Sequence, residues 1–221
     1  MIKKRWNKAV VYIIDDDEQV GKAISRLLRV AGYEYELFPN AQAFLSAAIK
    51  QADVCCALLD IRMPGMSGIE LQKHLVENEI CIPVIFITGH GDLENSIDAF
   101  RNGAVHFLTK PFNDEQLLAA INEALTKNYD EKIRLELLDS AKKGFKRLTP
   151  RETEIFSGVV SGLRNRAIAD MTGITETTVK VHRGRVMDKM HAFSIADLVK
   201  MAVSLAEAGV IDHDKIQKPA Q

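Results

Sequence analysis

Residues 10–17 read VVYIIDDD, an apolar run that ends in three aspartates. The same pattern, an apolar run that ends in a polar residue, occurs three more times: residues 54–59 before Asp60, 84–87 before Thr88, and 105–108 before Thr109 and Lys110. Strands of a parallel sheet covered by helices on both faces are continuous Val, Ile and Leu runs, and ligands bind beyond their carboxyl ends. We therefore predict that these carboxylates, hydroxyls and amine meet in one crevice.

The first half of the chain, residues 9–125, alternates strand-like runs with amphipathic stretches. We expect helices at residues 18–31, 41–51, 68–77, 93–102 and 114–125. Regular βαβ alternation favours a right-handed parallel sheet over a sandwich or a bundle. The predicted fold class is therefore α/β, a five-stranded doubly wound sheet of the flavodoxin-like type.

The second half of the chain shows helical patterns and no strand. Residues 126–143 are charge-rich and contain neither Gly nor Pro, so they either extend the preceding helix or form a looser tether. Residues 144–209 contain four short helical patterns, at 151–161, 165–171, 176–190 and 195–206, which predict a compact all-α domain with a helix-turn-helix. Residues 210–221 are polar and are expected to form a flexible tail.

Composition excludes several classes of protein. With 47% hydrophobic and 27% charged residues over 221 positions, the chain is long enough for two ordinary domains and is not a disordered polymer. Its net charge of −1 means that any nucleic acid would be met by a local patch. No run approaches the about 20 apolar residues of a membrane span, so we expect a soluble cytoplasmic protein without a membrane partner. The cysteines, Cys55, Cys56 and Cys81, are interpreted as small buried hydrophobic residues.

The acidic crevice has the chemistry of a magnesium site that handles phosphate. Asp15, Asp16 and Asp60 offer hard oxygen ligands, which suit Mg²⁺, with Mn²⁺ as a substitute. Asp60 is the single acid at the end of the most hydrophobic run, and an aspartate beside such a metal can attack phosphorus to form an acyl phosphate. Lys110 would neutralise charge on the phosphoryl oxygens.

Four motifs in this half resemble the receiver domain of bacterial two-component response regulators. They are IIDDDE from Ile13, LLDIRMPGMSG from Leu58, FITGHGD from Phe86 and GAVHFLTKPF from Gly103. The resemblance implies that Asp60 accepts a phosphoryl group from a sensor histidine kinase, and that the backbone carbonyl of Arg62 joins Asp15, Asp16 and Asp60 around the metal. It further implies that Lys110 contacts the phosphoryl group, that the Lys110–Pro111 bond is cis, and that Thr88 and Phe107 form a switch pair.

The helix predicted at residues 176–190 has the pattern of a recognition helix in a helix-turn-helix. Val179, Val186 and Met190 share one face, which should pack inward, and Thr177, Val181, Gly184 and Asp188 lie on the opposite face. That outer face can enter a DNA major groove, with Lys and Arg reaching base edges and Thr hydroxyls meeting phosphates. The candidate DNA contacts are Thr177, Thr178, Lys180, Val181, Arg183, Arg185, Arg164, Arg166 and Lys189.

Three further motifs, LTPRETEIF from Leu148, RNRAIA from Arg164 and TVKVHR from Thr178, resemble the LuxR-type helix-turn-helix domain. Together with the receiver motifs they place the chain near the FixJ/NarL class of response regulators, closest to the FixJ branch. The resemblance implies a transcription factor. Members of the family are typically activators, which adds RNA polymerase as an expected partner. Phosphorylation would favour a homodimer on an inverted-repeat operator, and the chemistry would be limited to Mg²⁺-dependent self-phosphorylation from a phosphodonor and slow autodephosphorylation.

Two alternatives stay open. A phosphohydrolase with an aspartyl-phosphate intermediate would share the crevice chemistry, although such enzymes place a second acid two residues after the nucleophile, where this chain has Arg62. A receiver acting through protein contacts alone, with the helical domain as a docking module, would show no salt-dependent DNA binding.

Overall fold

The structure, a computed structural model, describes residues 9–47, 54–89 and 103–212. The chain divides into two compact units, Met1–Glu131 and Lys132–Gln221. Each unit has its own hydrophobic core, and the division falls inside the segment 126–143 that the sequence left open between helix and tether.

The first unit is built on a five-stranded sheet with the strand order β2-β1-β3-β4-β5. Its strands are β1 (Ala9–Ile14), β2 (Glu34–Phe38), β3 (Val54–Asp60), β4 (Val84–Thr88) and β5 (His106–Thr109). All four pairings are parallel, so the carboxyl ends of the strands lie along one edge of the sheet. The predicted doubly wound α/β fold is confirmed.

The helices of this unit begin at polar caps. They are α1 (Glu18–Ala31), α2 (Ala41–Ser46), α3 (Gly68–Glu77) and the start of α4 (Asp114–Lys146). The Asp17 side chain accepts hydrogen bonds from two amides of α1, as expected of an N-cap, and Ser67 forms a capping box with Glu70 at α3. The predicted bounds of α1 and α3 are confirmed, whereas the helix predicted at 93–102 lies outside the described residues.

The sheet has a hydrophobic core on each face. Alternate residues of β3 point into the two cores, and all seven of its residues are buried. Cys55 and Cys56 on this strand are buried as predicted. The same prediction was wrong for Cys81, which is exposed because it lies in the loop between α3 and β4 and not in a buried strand.

Helix α4 is a single helix of 33 residues, so residues 126–143 extend the predicted fifth helix. Asn128, about one turn past Leu125, is buried against the sheet. Its side-chain oxygen accepts a hydrogen bond from the Cys55 amide at 3.0 Å, and its amide nitrogen donates one to the Cys81 carbonyl at 3.0 Å. Tyr129 packs against the same unit's core.

The described residues of the second unit contain helices and no strand. After the end of α4 come α5 (Pro150–Val160), α6 (Asn165–Thr172), α7 (Glu176–Met190) and α8 (Ile195–Glu207). Thr149 and Glu152 form a capping box with Pro150 in the first turn of α5, and Thr175 caps α7. Gly173, at a φ of 68°, makes the left-handed turn between α6 and α7.

The last turns of α4 belong to the core of this unit. Ala141 is fully buried there, Leu137 and Leu138 pack against it, and the Phe145 and Phe156 rings meet edge to face with centroids 5.5 Å apart. Among the described helices of the whole chain, none is both long and apolar enough to cross a membrane.

Candidate functional site

The acidic crevice lies at the carboxyl ends of β1, β3 and β5. Lys110 Nζ donates hydrogen bonds to Asp15 Oδ2 at 3.1 Å and to Asp60 Oδ1 at 2.9 Å. The two carboxylates are almost inaccessible, with 2% and 11% of their side chains exposed, against 28% for the lysine. Three residues that are far apart in the sequence therefore meet at one ammonium group.

The second oxygen of each carboxylate is held by the backbone. Asp15 Oδ1 accepts a hydrogen bond from the Asp17 amide at 2.8 Å, and Asp60 Oδ2 accepts one from the Arg62 amide at 2.9 Å. Each side chain is thus fixed at both oxygens, which leaves it little rotational freedom. Preorganisation of this kind suits a group that must meet a reactant in one orientation.

Electrostatics in the crevice follow from burial and from the ion pairs. Burial raises the pKa of Asp15 above its ordinary value, although hydrogen bonds from Asp17 and Lys110 oppose that rise. Burial alone would lower the pKa of Lys110, but its contacts with Asp60 and Asp15 outweigh that effect and raise it. Lys110 therefore keeps its positive charge at neutral pH.

Asp16 and Arg62 do not join this cluster through their side chains. Both are exposed and line an open surface cleft next to the crevice, between the end of β1 and the start of α3. Within the described ranges, no three Asp, Glu, His or Cys side chains gather closely enough to hold a metal ion. Of the predicted metal ligands, the structure brings together the side chains of Asp15 and Asp60.

The predicted switch residues flank the crevice. Thr88 ends β4, is buried, and its hydroxyl donates a hydrogen bond to the Gly89 carbonyl at 3.2 Å. Phe107 on β5 lies beside Phe86 on β4, with ring centroids 5.0 Å apart and the planes tilted by 32°. The Lys110–Pro111 peptide bond is cis, as the resemblance implied.

Gly68 is a site residue that the sequence analysis did not single out. Its amide donates a hydrogen bond to the Ile61 carbonyl at 3.0 Å, and a Cβ at this position would collide with the Asp60 carbonyl oxygen. The first turn of α3 can approach the backbone of Asp60 this closely because the residue there has no side chain. The glycine that ends the motif LLDIRMPGMSG is the feature of the sequence that could have identified this residue.

Helix α7 has the two faces that its sequence predicts. Val179, Val186 and Met190 are fully buried in the core of the second unit. The opposite face is exposed and consists of Thr177, Val181, Gly184 and Asp188. A Cβ at Gly184 would meet nothing within 4 Å, so the backbone of this face is open to a partner.

The predicted DNA-contact residues fall into two groups. Lys180, Arg185 and Arg166 are exposed. Thr177, Val181 and Arg164 are exposed as well. The remaining three have partners within the unit: the Thr178 and Thr175 hydroxyls are 2.9 Å apart, Arg183 donates to Asn165 at 2.7 Å, and Lys189 pairs with Glu152 at 2.6 Å.

Two family models match the chain. Residues 11–122 match the response regulator receiver domain, and residues 146–202 match the bacterial regulatory proteins of the luxR family. The receiver match covers nearly all of the sheet and its acidic crevice, and the luxR match extends from the last residue of α4 into α8 and includes α7.

Full-length relatives share both parts. The chain is 38% identical over 198 residues to nodulation protein W of Bradyrhizobium diazoefficiens, covering 90% of this chain and 87% of that protein. It is 39% identical over 196 residues to the transcriptional regulatory protein FixJ of Rhizobium meliloti, covering 88% and 95%. The solved structure of the response regulator StyR matches with a TM-score of 0.72 at 42% identity, covering 89% of this chain and 98% of that one.

The receiver match contains the residues of the acidic crevice, and the luxR match contains the exposed face of α7. The chain belongs to the two-component response regulators of the FixJ/NarL class, transcriptional regulators in which a receiver domain precedes a LuxR-type DNA-binding domain.

Proposed function

We propose that Asp60 is the residue of this response regulator that accepts a phosphoryl group from a sensor histidine kinase. The observation that carries the proposal is the pair of hydrogen bonds from Lys110 to Asp15 and Asp60, which sets a fixed positive charge beside the reacting carboxylate. Charge that develops on transferred phosphoryl oxygens is stabilised by such a preorganised cation.

The transfer is a displacement at phosphorus. An oxygen of Asp60 forms the new bond, the bond between phosphorus and the donor's histidine nitrogen breaks, and its electron pair stays on that nitrogen. The product is a mixed anhydride on Asp60. The Lys110 ammonium, already 2.9 Å from this carboxylate, is close enough to contact the phosphoryl oxygens and neutralise their negative charge.

The donor set fits Mg²⁺, or Mn²⁺ in its place. Asp15 and Asp60 already direct oxygens at one cationic nitrogen, so the site accepts positive charge between them, and carboxylate oxygens are the ligands that Mg²⁺ prefers. Asp15, Asp16, Asp60 and the backbone carbonyl of Arg62 would hold the ion. When bound, it supplies charge neutralisation at the phosphoryl group. The chain's own part is to hold Asp15 and Asp60 at both oxygens.

The phosphorylated state is communicated through Thr88 and Phe107. In this structure the Thr88 hydroxyl donates to the Gly89 carbonyl. A phosphoryl oxygen on Asp60 attracts that hydroxyl towards itself, and the half-buried Phe107 ring turns into the space that the Thr88 side chain leaves. Taking such an equilibrium from 1:99 to 99:1 requires about 5.5 kcal/mol, so phosphorylation biases two states that both exist beforehand.

The output is operator binding by a homodimer. Two α7 helices, one from each copy, would read an inverted repeat. The protein would act in the cytoplasm as an activator, with RNA polymerase as its partner. The proposed DNA contacts are Thr177, Thr178, Lys180, Val181, Arg183, Arg185 and Arg166. Lys189 is left out because its ammonium is already paired with a buried carboxylate.

The domain boundaries are proposed from the packing of α4. The receiver extends from residue 9 to about 131, past the expected end at 125, because Asn128 and Tyr129 pack on the first unit. The predicted linker, 126–143, is thereby divided, since Leu137 and the residues after it pack in the helical unit. Residues 213–221 of the expected tail, 210–221, lie outside the described residues.

Phosphorylation of the full chain by acetyl phosphate with Mg²⁺ tests the acceptor. We expect one phosphoryl group per chain, dimerisation on size exclusion, and loss of both in Asp60→Asn. Asp17→Asn is the matched control, because asparagine also caps a helix and Asp17 faces α1 rather than Lys110. Undiminished labelling of Asp60→Asn would refute the assignment.

The same preparation separates regulator from enzyme. We expect self-phosphorylation and slow loss of the label, with no sustained turnover of phosphate esters. Rapid multiple turnover would favour a phosphohydrolase instead. Gel shifts with genomic fragments at several salt concentrations test the output, since affinity resting on phosphate contacts falls steeply as salt rises.

A further inference from the structure

Lys189 on α7 is paired with a buried carboxylate. Its ammonium lies 2.6 Å from Glu152 Oε2, and the side chains are 28% and 4% exposed. Lys180 and Arg185, on the same helix, are exposed and make no hydrogen bond or ion pair with any described residue. A cation that already neutralises a buried carboxylate cannot leave it without stranding that charge.

The carboxylate of Glu152 is itself fixed. The same oxygen, Oε2, accepts hydrogen bonds from the Thr149 amide at 2.8 Å and the Thr149 hydroxyl at 3.0 Å, which closes the capping box of α5. Contacts with Lys189 and Thr149 lower the pKa of Glu152 to about 2, so the group stays ionised under physiological conditions. Lys189 is therefore tied to a rigid element, the N-terminus of α5.

A second contact, with Gly144 in α4, holds the same turn of α7. Gly144 in α4 is so close that a Cβ there would come within 2.9 Å of the Lys189 carbonyl oxygen and 3.0 Å of Met190 Cα. Met190 is fully buried. The C-terminal turn of α7 is thus in close contact with the backbone of α4 at Gly144 and with the N-terminus of α5 through the Glu152 ion pair.

We propose that Lys189 is a positioning residue of the recognition helix, which it fastens to the N-terminus of α5, and that it makes no contact with DNA phosphate. This inference rests on the proposed role of α7 in DNA binding. The helix would present Thr177, Val181 and Arg185 to the groove at an angle that the Lys189–Glu152 pair sets at its far end. Without that pair, the helix can tilt about its buried face.

The two roles differ in how binding depends on salt. Each phosphate contact releases a counterion and contributes about 0.9 to the slope of log K against log salt concentration. Loss of a positioning residue lowers affinity by a similar factor at every salt concentration and leaves the slope unchanged. Loss of a phosphate contact lowers the slope.

The test uses the full-length protein, phosphorylated with acetyl phosphate, and a fluorescein-labelled duplex of about 30 base pairs of arbitrary sequence, long enough for backbone contacts. Fluorescence anisotropy is measured at four salt concentrations for Lys189→Met and for Lys180→Met, the matched control on the same helix. We expect Lys189→Met to bind at least about fivefold more weakly with the wild-type slope. On this duplex of arbitrary sequence Lys180 is expected to neutralise a phosphate, so Lys180→Met should lose about 0.9 from the slope for each copy bound.

A double variant keeps the test valid if Lys189→Met unfolds. Glu152→Gln with Lys189→Met removes both charges while the glutamine oxygen still accepts from the Thr149 amide. We expect it to melt above the single Lys189→Met variant, because no buried charge is left unpaired, and to keep the wild-type salt slope with weakened affinity.

Two results would overturn the proposal: a slope reduced in Lys189→Met or in the double variant as much as in Lys180→Met, or wild-type affinity in either variant. An unchanged slope in Lys180→Met is a different failure, since it counts against the proposed DNA contacts. The positioning role would then be judged by the difference in melting temperature between the single and double variants.

Discussion

Asn128 joins the interdomain helix to the sheet, and Asn128→Ala should weaken that junction by a calculable amount. The substitution removes two hydrogen bonds of 3.0 Å and leaves the Cys55 amide and the Cys81 carbonyl without their partner. The Cys55 amide lies in a fully buried strand, so loss of its hydrogen bond to Asn128 costs the full desolvation penalty of about 1–3 kcal/mol. Cys81 is exposed, so its carbonyl can turn to water at little loss. We expect a destabilisation of about 2 kcal/mol.

Native-state hydrogen exchange of the Cys55 amide, followed by NMR on the full chain, measures this effect directly. A loss of about 2 kcal/mol corresponds to roughly 30-fold faster exchange through opening of the strand. Asn122→Ala is the control, because it makes the same change on the same helix at a half-buried side chain with no hydrogen bond to a described residue. Exchange at the wild-type rate in Asn128→Ala would refute the idea that this side chain secures the helix.

Three further outcomes are expected. Gly68→Ala should slow phosphorylation by acetyl phosphate at least about tenfold by displacing the acceptor's backbone, while Gly184→Ala, in open space, should not; equal rates would contradict this. Lys110→Met should destabilise the first unit by about 2 kcal/mol at neutral pH, measured by urea unfolding without divalent ions, and the loss should shrink in acid as Asp15, whose pKa is raised, protonates. The lowered pKa of Glu152 stabilises the helical unit above pH 4.5, and this stabilisation is lost as the pH falls towards 2; acid melts of Glu152→Gln should lack this dependence.

The sequence predicted those parts of the molecule that depend on local patterns. Helices α1, α3 and α7 have the bounds predicted from the sequence, and the caps Asp17, Ser67 and Thr175 lie directly before them. Each cap satisfies amides within its own first turn, so its partners are already adjacent in the chain. The convergence of Asp15, Asp60 and Lys110 was also predictable, since parallel strands bring their carboxyl ends to one edge.

Contacts between distant residues were not predictable in this way. Lys189 was placed on a DNA-facing surface because helical spacing says which side of a helix a residue occupies, and not that a buried acid 37 positions earlier faces it. Asn128 lies 73 positions from its partner in β3, in a segment that charge and composition left open between a helix and a tether. Thr88 and Phe107 keep their switch role as a proposal.

The divided packing of α4 bears on how regulators of this kind can be recombined. Asn128 and Tyr129 are committed to one core, and Leu137 and Leu138 to the other. Between them, Ile133 and Leu135 remain 45% and 41% exposed. A chimera that exchanges sensory inputs should therefore have its crossover between residues 130 and 136. A junction near residue 125 would separate Asn128 from the sheet that it belongs to. Asn128 would then face a β3 strand from the other protein.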